Sequence, residues 1–173
     1  TRIDIGLFSF SDRKVLGALE DAIKRGAFVR VLLDANRRTF GREKNGIPNV
    51  VVAAELMELS AKYQVEVRWA ATNGVQYHGK FLRMSGSQQQ TLFIGSANWT
   101  RRSLGNLNLE SNLLLSNCSG VNGEFDAYFD SLWNNKRTYE ESLPYEALAE
   151  KGWSLRWKTW LYRFQEWSGA STF

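Results

Sequence analysis

The stretch at residues 3–33, IDIGLFSFSDRKVLGALEDAIKRGAFVRVLL, decides the fold. Ile3, Ile5, Leu7 and Phe8 make an apolar strand. Ser11 and Asp12 offer an N-cap, and Val15, Leu16, Leu19, Ala22 and Ile23 then recur at helical spacing. Gly26 supplies the stop. Phe28–Leu33 is a second apolar strand, β-branched at Val29 and Val31. A strand, a helix and a strand of these lengths make a right-handed parallel unit, so an α/β domain is predicted.

The same reading extends along the chain. A polar loop over 34–48 carries Arg37, Arg38, Arg42 and Lys44, and its length points to function more than to connection. Val52, Leu56, Leu59 and Tyr63 line one side of a helix over 51–63, and 65–69 is a third strand. Thr72, Asn73 and Gly74 break the chain. A fourth strand is predicted over 77–84, returning through a hairpin at 86–90 into 91–94. Further on, 107–115 reads as a strand and 124–133 as a helix with Phe125, Phe129, Leu132 and Trp133 inward. The charged segment 139–151 reads as helical despite Pro144. Beyond it Trp153, Trp157, Trp160, Leu161, Phe164 and Trp167 share one helix face, with Arg156, Lys158 and Glu166 opposite.

The totals agree with one folded domain. Of 173 residues 43% are hydrophobic, which excludes a disordered chain. Lys and Arg number 22 against 18 Asp and Glu, a mild excess that favours an anionic partner without choosing one. Cys118 is the only cysteine, which rules out an internal disulfide and a multi-cysteine metal site. No apolar run reaches the roughly 18 residues a membrane-spanning helix needs. The chain opens at Thr1 and enters an apolar strand at once, so it reads as part of a longer polypeptide, and its location is left open.

The chemistry gathers on the fourth strand. His78 is the only histidine, and Lys80 two residues on leaves the same strand face. Two cationic groups side by side repel, and an anionic ligand between them is the simplest reason for their company. The turn Gly95-Ser96-Ala97-Asn98 follows, where Ser96 and Asn98 add neutral hydrogen-bond groups for phosphate oxygens. Glu110 supplies a carboxylate that can accept Nδ1–H of His78 and leave Nε2 free to attack.

In this order, His78-Gly79-Lys80, Gly95-Ser96-Ala97-Asn98 and Glu110 resemble the phospholipase D superfamily. Its signature is H-x-K, an Asp after four further residues, a downstream G-S-x-N and a following acid. The stretches at 8–12, 31–34, 128–129 and 132–133 are also similar to segments of bacterial phospholipase D and cardiolipin synthase-like proteins. One departure is Ser85, where the family has its Asp. The resemblance implies a mixed, largely parallel sheet flanked by helices over residues 1–136, one phospholipase D-like half, followed by a C-terminal helical extension over 137–173. It also implies that His78 is nucleophile or acid, that Lys80 and Asn98 hold phosphate with Ser96 beside them, and that neither metal nor cofactor is needed.

The family reaction uses one imidazole to attack phosphorus and another to protonate the leaving oxygen from the opposite side. This chain has one histidine. A complete site therefore needs a homodimer mate or a second phospholipase D-like half. Three functions follow. The first is phospholipid headgroup hydrolysis or exchange through a phosphohistidine. The second is an endonuclease of the same superfamily. The third is a catalytically incomplete half-domain that serves as a partner surface. The lipid substrate is favoured. Trp153, Trp157, Trp160 and Trp167 are read either as packing surface, on this domain or on a missing half, or as a peripheral membrane contact.

Overall fold

The computed structural model describes residues 1–39, 42–72 and 74–169. Seven strands form one sheet. In chain order they and the helices are β1 (Arg2–Leu7), α1 (Arg13–Lys24), β2 (Phe28–Leu33), the short pair β3 (Arg38–Thr39) and β4 (Arg42–Glu43), α2 (Asn49–Leu59), β5 (Val65–Ala70), β6 (Lys80–Ser85), β7 (Gln90–Gly95), α3 (Arg101–Leu104), β8 (Asn112–Ser116), α4 (Ser119–Trp133), β9 (Ser142–Pro144) and α5 (Gly152–Ser168). The sheet order is β8-β7-β6-β1-β2-β5-β9, and β3 and β4 stand apart. β1, β2 and β5 are parallel at its centre, while β6, β7 and β8 on one side and β9 on the other run antiparallel. This is the mixed α/β fold with a parallel centre that the first 33 residues announce.

Strand alternation sorts the side chains into two layers. Ile3, Ile5 and Leu7 of β1 and Val29, Val31 and Leu33 of β2 face the helices α1 and α2, whose Leu16, Leu19, Ile23, Val52 and Leu56 complete the main core. α1 starts where Asp12 accepts the backbone N–H of Lys14 (3.0 Å) and Val15 (2.9 Å), as an N-cap should. Gly26, at φ 92°, turns the chain off after the helix. On the other face α4 covers Leu32, Ala70 and Phe81 with Phe129, Leu132 and Trp133. The same interface holds an ionic network. Arg30 grips Asp4 in two bonds (2.7 and 3.0 Å) and reaches Asp130 (2.7 Å), while Arg83 pairs with Asp126 (3.0 Å). Buried charges of this kind persist only when paired, and each here has its partner.

Several boundaries differ from the sequence reading. Segment 139–151 is not a helix. Ser142 and Leu143 pair with Ala70 and Trp69 on β5, and a 3-10 turn follows at Tyr145–Ala147. Pro144 lacks the amide hydrogen a helix interior needs and is tolerated at the end of an edge strand. Ser142 is fully buried, its Oγ donating within reach of Leu132 O (2.9 Å) and Trp133 O (3.1 Å). The strand predicted over 107–115 starts only at Asn112; a left-handed Asn106 (φ 60°) follows α3, and 107–111 cross to the sheet edge without regular structure. The strand predicted over 77–84 starts at Lys80, so His78 stands just before it. Part of the basic loop forms the β3–β4 ladder, and residues 40 and 41 lie outside the described residues, as does Asn73.

The seven tryptophans divide cleanly. Trp69, Trp99 and Trp133 are core residues. The other four are exposed on α5, whose buried aromatic is instead Tyr162, with its hydroxyl donating to Ser11 O (2.8 Å). Among the described residues no helix is long and apolar enough to cross a membrane.

Candidate active site

Antiparallel pairing brings the start of β6 to the end of β1, where Leu7 lies opposite Lys80. One step beyond, Phe8 N–H donates to Gly79 O (2.8 Å). The carboxyl ends of β1, β2 and β7 therefore converge with the amino end of β6. Ligands of open α/β sheets sit outside the carboxyl ends of strands, and the predicted site residues lie there.

Asp34, directly after β2, fixes the approach to His78. Its Oδ2 accepts Tyr77 N–H (2.7 Å), and its Oδ1 accepts Asn36 N–H (2.7 Å). Asn49 at the start of α2 ties the same corner together. Its side chain donates to Phe8 O (2.8 Å) and Asp34 O (2.7 Å) and accepts from Phe10 N–H (2.9 Å). The Tyr77 ring folds back under Gly79, where an added Cβ would stand 2.7 Å from it. The glycine between His78 and Lys80 is thus a packing requirement of this corner.

The imidazole is exposed and lies against the Phe8 ring at 5.0 Å. Lys80 is 5% exposed. Its Nζ donates to His78 O (3.0 Å) and sits 5.5 Å from the Phe8 ring centre, which leaves ammonium hydrogens for a ligand. Burial, the neighbouring Lys80 charge and, in the opposite sense, Asp34 set the His78 pKa, with a net shift downward. The ring is then neutral near pH 7, the state in which it can attack. Burial pushes Lys80 down to about 8, with Glu110 opposing the shift.

The turn after β7 holds the neutral groups. Ser96 Oγ donates to Glu110 Oε2 (2.5 Å) and accepts Ser111 N–H (2.9 Å). Ala97 N–H donates to Asn112 Oδ1 (3.3 Å). Asn98 Oδ1 is buried and makes no hydrogen bond among the described residues. The hydrogen bond from Ser96 is the largest influence holding Glu110 below the usual carboxylate range, and the Lys80 charge adds to it.

The structure therefore places Lys80, Ser96 and Glu110 in one electrostatic neighbourhood with His78 beside Lys80. Glu110 is hydrogen-bonded to Ser96, and the carboxylate whose field acts on His78 is Asp34. Sequence reading missed Asp34, Asn49 and Phe8. The available signals were the family-like stretches at 8–12 and 31–34, the second ending in an acid directly after an uninterrupted apolar strand. Position 85, where the family has Asp, lies at the far end of β6 opposite Arg2, roughly 17 Å along the strand from Lys80. Ser85 is therefore remote from the cluster.

The family model described as cardiolipin synthase, PLD-like domain, matches residues 1–133. No curated protein matches the sequence. Among solved structures the chain is similar to Nuc of Salmonella typhimurium, a phospholipase D family member, with TM-score 0.59 and 23% identity over 84% of this chain and 82% of that one. It is similar to NucT from Helicobacter pylori, with TM-score 0.57 and 21% identity over 77% of this chain and 79% of that one. Phosphatidylserine synthase of Haemophilus influenzae shares the fold at TM-score 0.63 and 14% identity, over 98% of this chain but 40% of that one. Because the family model takes in both the strand corner and the Gly95–Asn98 turn, this chain belongs to the phospholipase D superfamily, within its cardiolipin synthase-type PLD-like domains.

Proposed function

We propose that the chain supplies one half of a phosphodiesterase site of the phospholipase D type, acting on a phospholipid headgroup. The observation that carries this reading is an exposed imidazole next to a nearly buried lysine whose ammonium is only partly satisfied. His78 attacks phosphorus through a ring nitrogen. The bond from phosphorus to the leaving oxygen breaks, and a second imidazolium gives that oxygen its proton. The second imidazole, now neutral, takes a proton from water or an acceptor alcohol. The oxygen so activated bonds to phosphorus, and the phosphorus–nitrogen bond returns its electron pair to His78. Lys80 offsets the charge on the non-bridging oxygens and Asn98 adds an amide donor, while Ser96, to bond a phosphate oxygen itself, would have to release Glu110.

The second imidazole must come from outside this chain. β8 is an edge strand, and Leu113 and Leu114 on it, with Leu107 and Leu109 before it, are exposed next to Glu110 and Asn112. An apolar edge adjoining an incomplete site suits a second phospholipase D-like half or a second copy of this chain. Lipid is preferred to nucleic acid as substrate because Arg37 of the basic loop is already engaged, donating to Leu148 O (3.0 Å) and Glu150 (3.1 Å).

The test offers phospholipid vesicles and, in parallel, plasmid DNA to the wild type, to His78→Ala and to mixtures of the two. If two copies build one site, activity falls as the square of the wild-type fraction. Cleavage of DNA alone would end the lipid reading. A monomer inactive on both substrates would identify an incomplete half-domain.

A further inference from the structure

The outward face of α5 is the largest apolar surface feature that the proposed chemistry does not use. Trp153, Trp157, Trp160, Phe164 and Trp167 follow one another at steps of four, three, four and three, a single stripe along the helix. Trp153 is 79% exposed, Trp160 62% and Trp167 82%, and the other two are half exposed. The rings of Trp160 and Phe164 (5.7 Å) and of Phe164 and Trp167 (6.1 Å) lie against each other, so the surface is continuous. At about 200 Å² per aromatic side chain, the exposed fractions amount to roughly 600 Å², the upper end of what a monomer leaves open to water.

The opposite side of the helix is firmly seated. Tyr162 is buried with its hydroxyl on Ser11 O, and Lys158 is bound to Glu150 at 2.6 Å. The stripe therefore cannot roll inward without unmaking those contacts. Its flank decides the partner. Arg156 and Arg163 stand beside it, both exposed, and the closest carboxylate oxygen to Arg163 is that of Glu55 at 4.0 Å. Between Gly152 and Gln165 the helix has no acidic residue, and Glu166 is turned toward Ser11 and Arg101.

We propose that this face docks on an anionic phospholipid bilayer. Indole rings favour the headgroup level, where the ring is dry and its N–H is met, and arginines beside them meet lipid phosphate. Tryptophan and arginine also mark protein interfaces, so the flank carries the choice: its charges are of one sign, with no carboxylate on the helix between Gly152 and Gln165, which suits an anionic surface. Its placement also serves the site. Tyr162 contacts Ser11, three residues after Phe8, and Arg101, three residues after Asn98, donates to Glu166 O (3.4 Å). The C-terminal half of α5 is thus fastened to the sheet end that carries His78. This inference rests on the lipid reading for its purpose, but the binding it predicts is measured without turnover.

The test is flotation of the full chain with phosphatidylcholine vesicles, with and without about 30% phosphatidylglycerol, at two salt concentrations. Wild type and His78→Ala should float alike with anionic vesicles and about tenfold less with neutral ones. Trp153→Ala/Trp160→Ala should lose at least tenfold in binding, and so should Arg156→Glu/Arg163→Glu, with unchanged circular dichroism. Hydrolysis of a soluble phosphodiester, bis-p-nitrophenyl phosphate, should be the same in all but His78→Ala. Binding that ignores the tryptophans overturns the proposal. So does retention of an oligonucleotide in place of vesicles, or a tryptophan-dependent dimer that does not bind lipid. Vesicle binding without turnover by a demonstrated dimer would sink the catalytic reading and leave the docking face standing.

Discussion

Anion binding at this site should draw a proton from solvent, and Lys80 sets the pH at which it does. Its pKa is pushed from 10.5 to about 8 by burial. Such a shift corresponds to about 3 kcal/mol against the charged form. A phosphate dianion against Nζ restores the charged form and carries the pKa back toward its ordinary value. At about pH 9 the free lysine is roughly nine-tenths neutral, so phosphate should bind with uptake of nearly one proton. At about pH 7 the lysine is already charged, and its share of the uptake falls to about a tenth of a proton. Between these limits affinity should weaken toward about tenfold per pH unit above pH 8. Calorimetry of inorganic phosphate binding in two buffers of different ionisation enthalpy reads the proton directly. Lys80→Arg, charged throughout, should bind with no such uptake and a flat pH dependence. Uptake absent from the wild type at about pH 9, or undiminished in Lys80→Arg, would refute the reasoning.

Other consequences are equally direct. Lys80→Met should lose activity yet raise the melting temperature by roughly 2–8 °C near pH 7, since it removes a buried charge at the expense of one hydrogen bond. The gain should vanish above about pH 10.5, where the native lysine is neutral in both states. Asp34→Asn should shift the His78 titration, followed by NMR on the only histidine, to lower pH, because the Asp34 charge is what raises that pKa. It should also cost about 1–3 kcal/mol by urea melts, as one amide oxygen cannot serve both Tyr77 and Asn36 N–H groups. In Gly95→Ala the new Cβ would collide with the Asn112 side chain and lie 2.5 Å from Ser111 O. Strands β7 and β8 must then part, and both phosphate affinity and stability should fall, the latter by more than about 2 kcal/mol.

What could be read in advance follows the range of the interactions. The β1-α1-β2 unit is written in local terms: alternating apolar residues, an Asp12 cap that bonds residues two and three ahead, and Gly26 at a left-handed turn. His78, Lys80, Ser96, Asn98 and Glu110 could be nominated from the sequence because they follow the spacing of a motif. Asp34 and Asn49 were not, for they act through bonds to Tyr77, Phe8 and Phe10 that exist only after α2 has crossed the sheet. The segment at 139–151 has the composition of a helix, and its strand owes everything to the open edge of β5. Periodicity found the aromatic stripe of α5, yet periodicity does not say which side of a helix meets water. The smaller Tyr162, placed beside Ser11, took the inner position.

The β9 edge bears on how this molecule can be dissected. The family match stops at residue 133, and excision there would look natural. It would strip the outer partner from β5, unseat Trp69, whose indole N–H donates to Tyr145 O (2.8 Å), and leave Arg68 without the Ser142 contacts that hold it. A fragment cut at that border would expose a raw, bondable margin and recruit strands from its neighbours. A piece that keeps β5 covered runs past Tyr145, so the family match and the sheet do not end at the same residue.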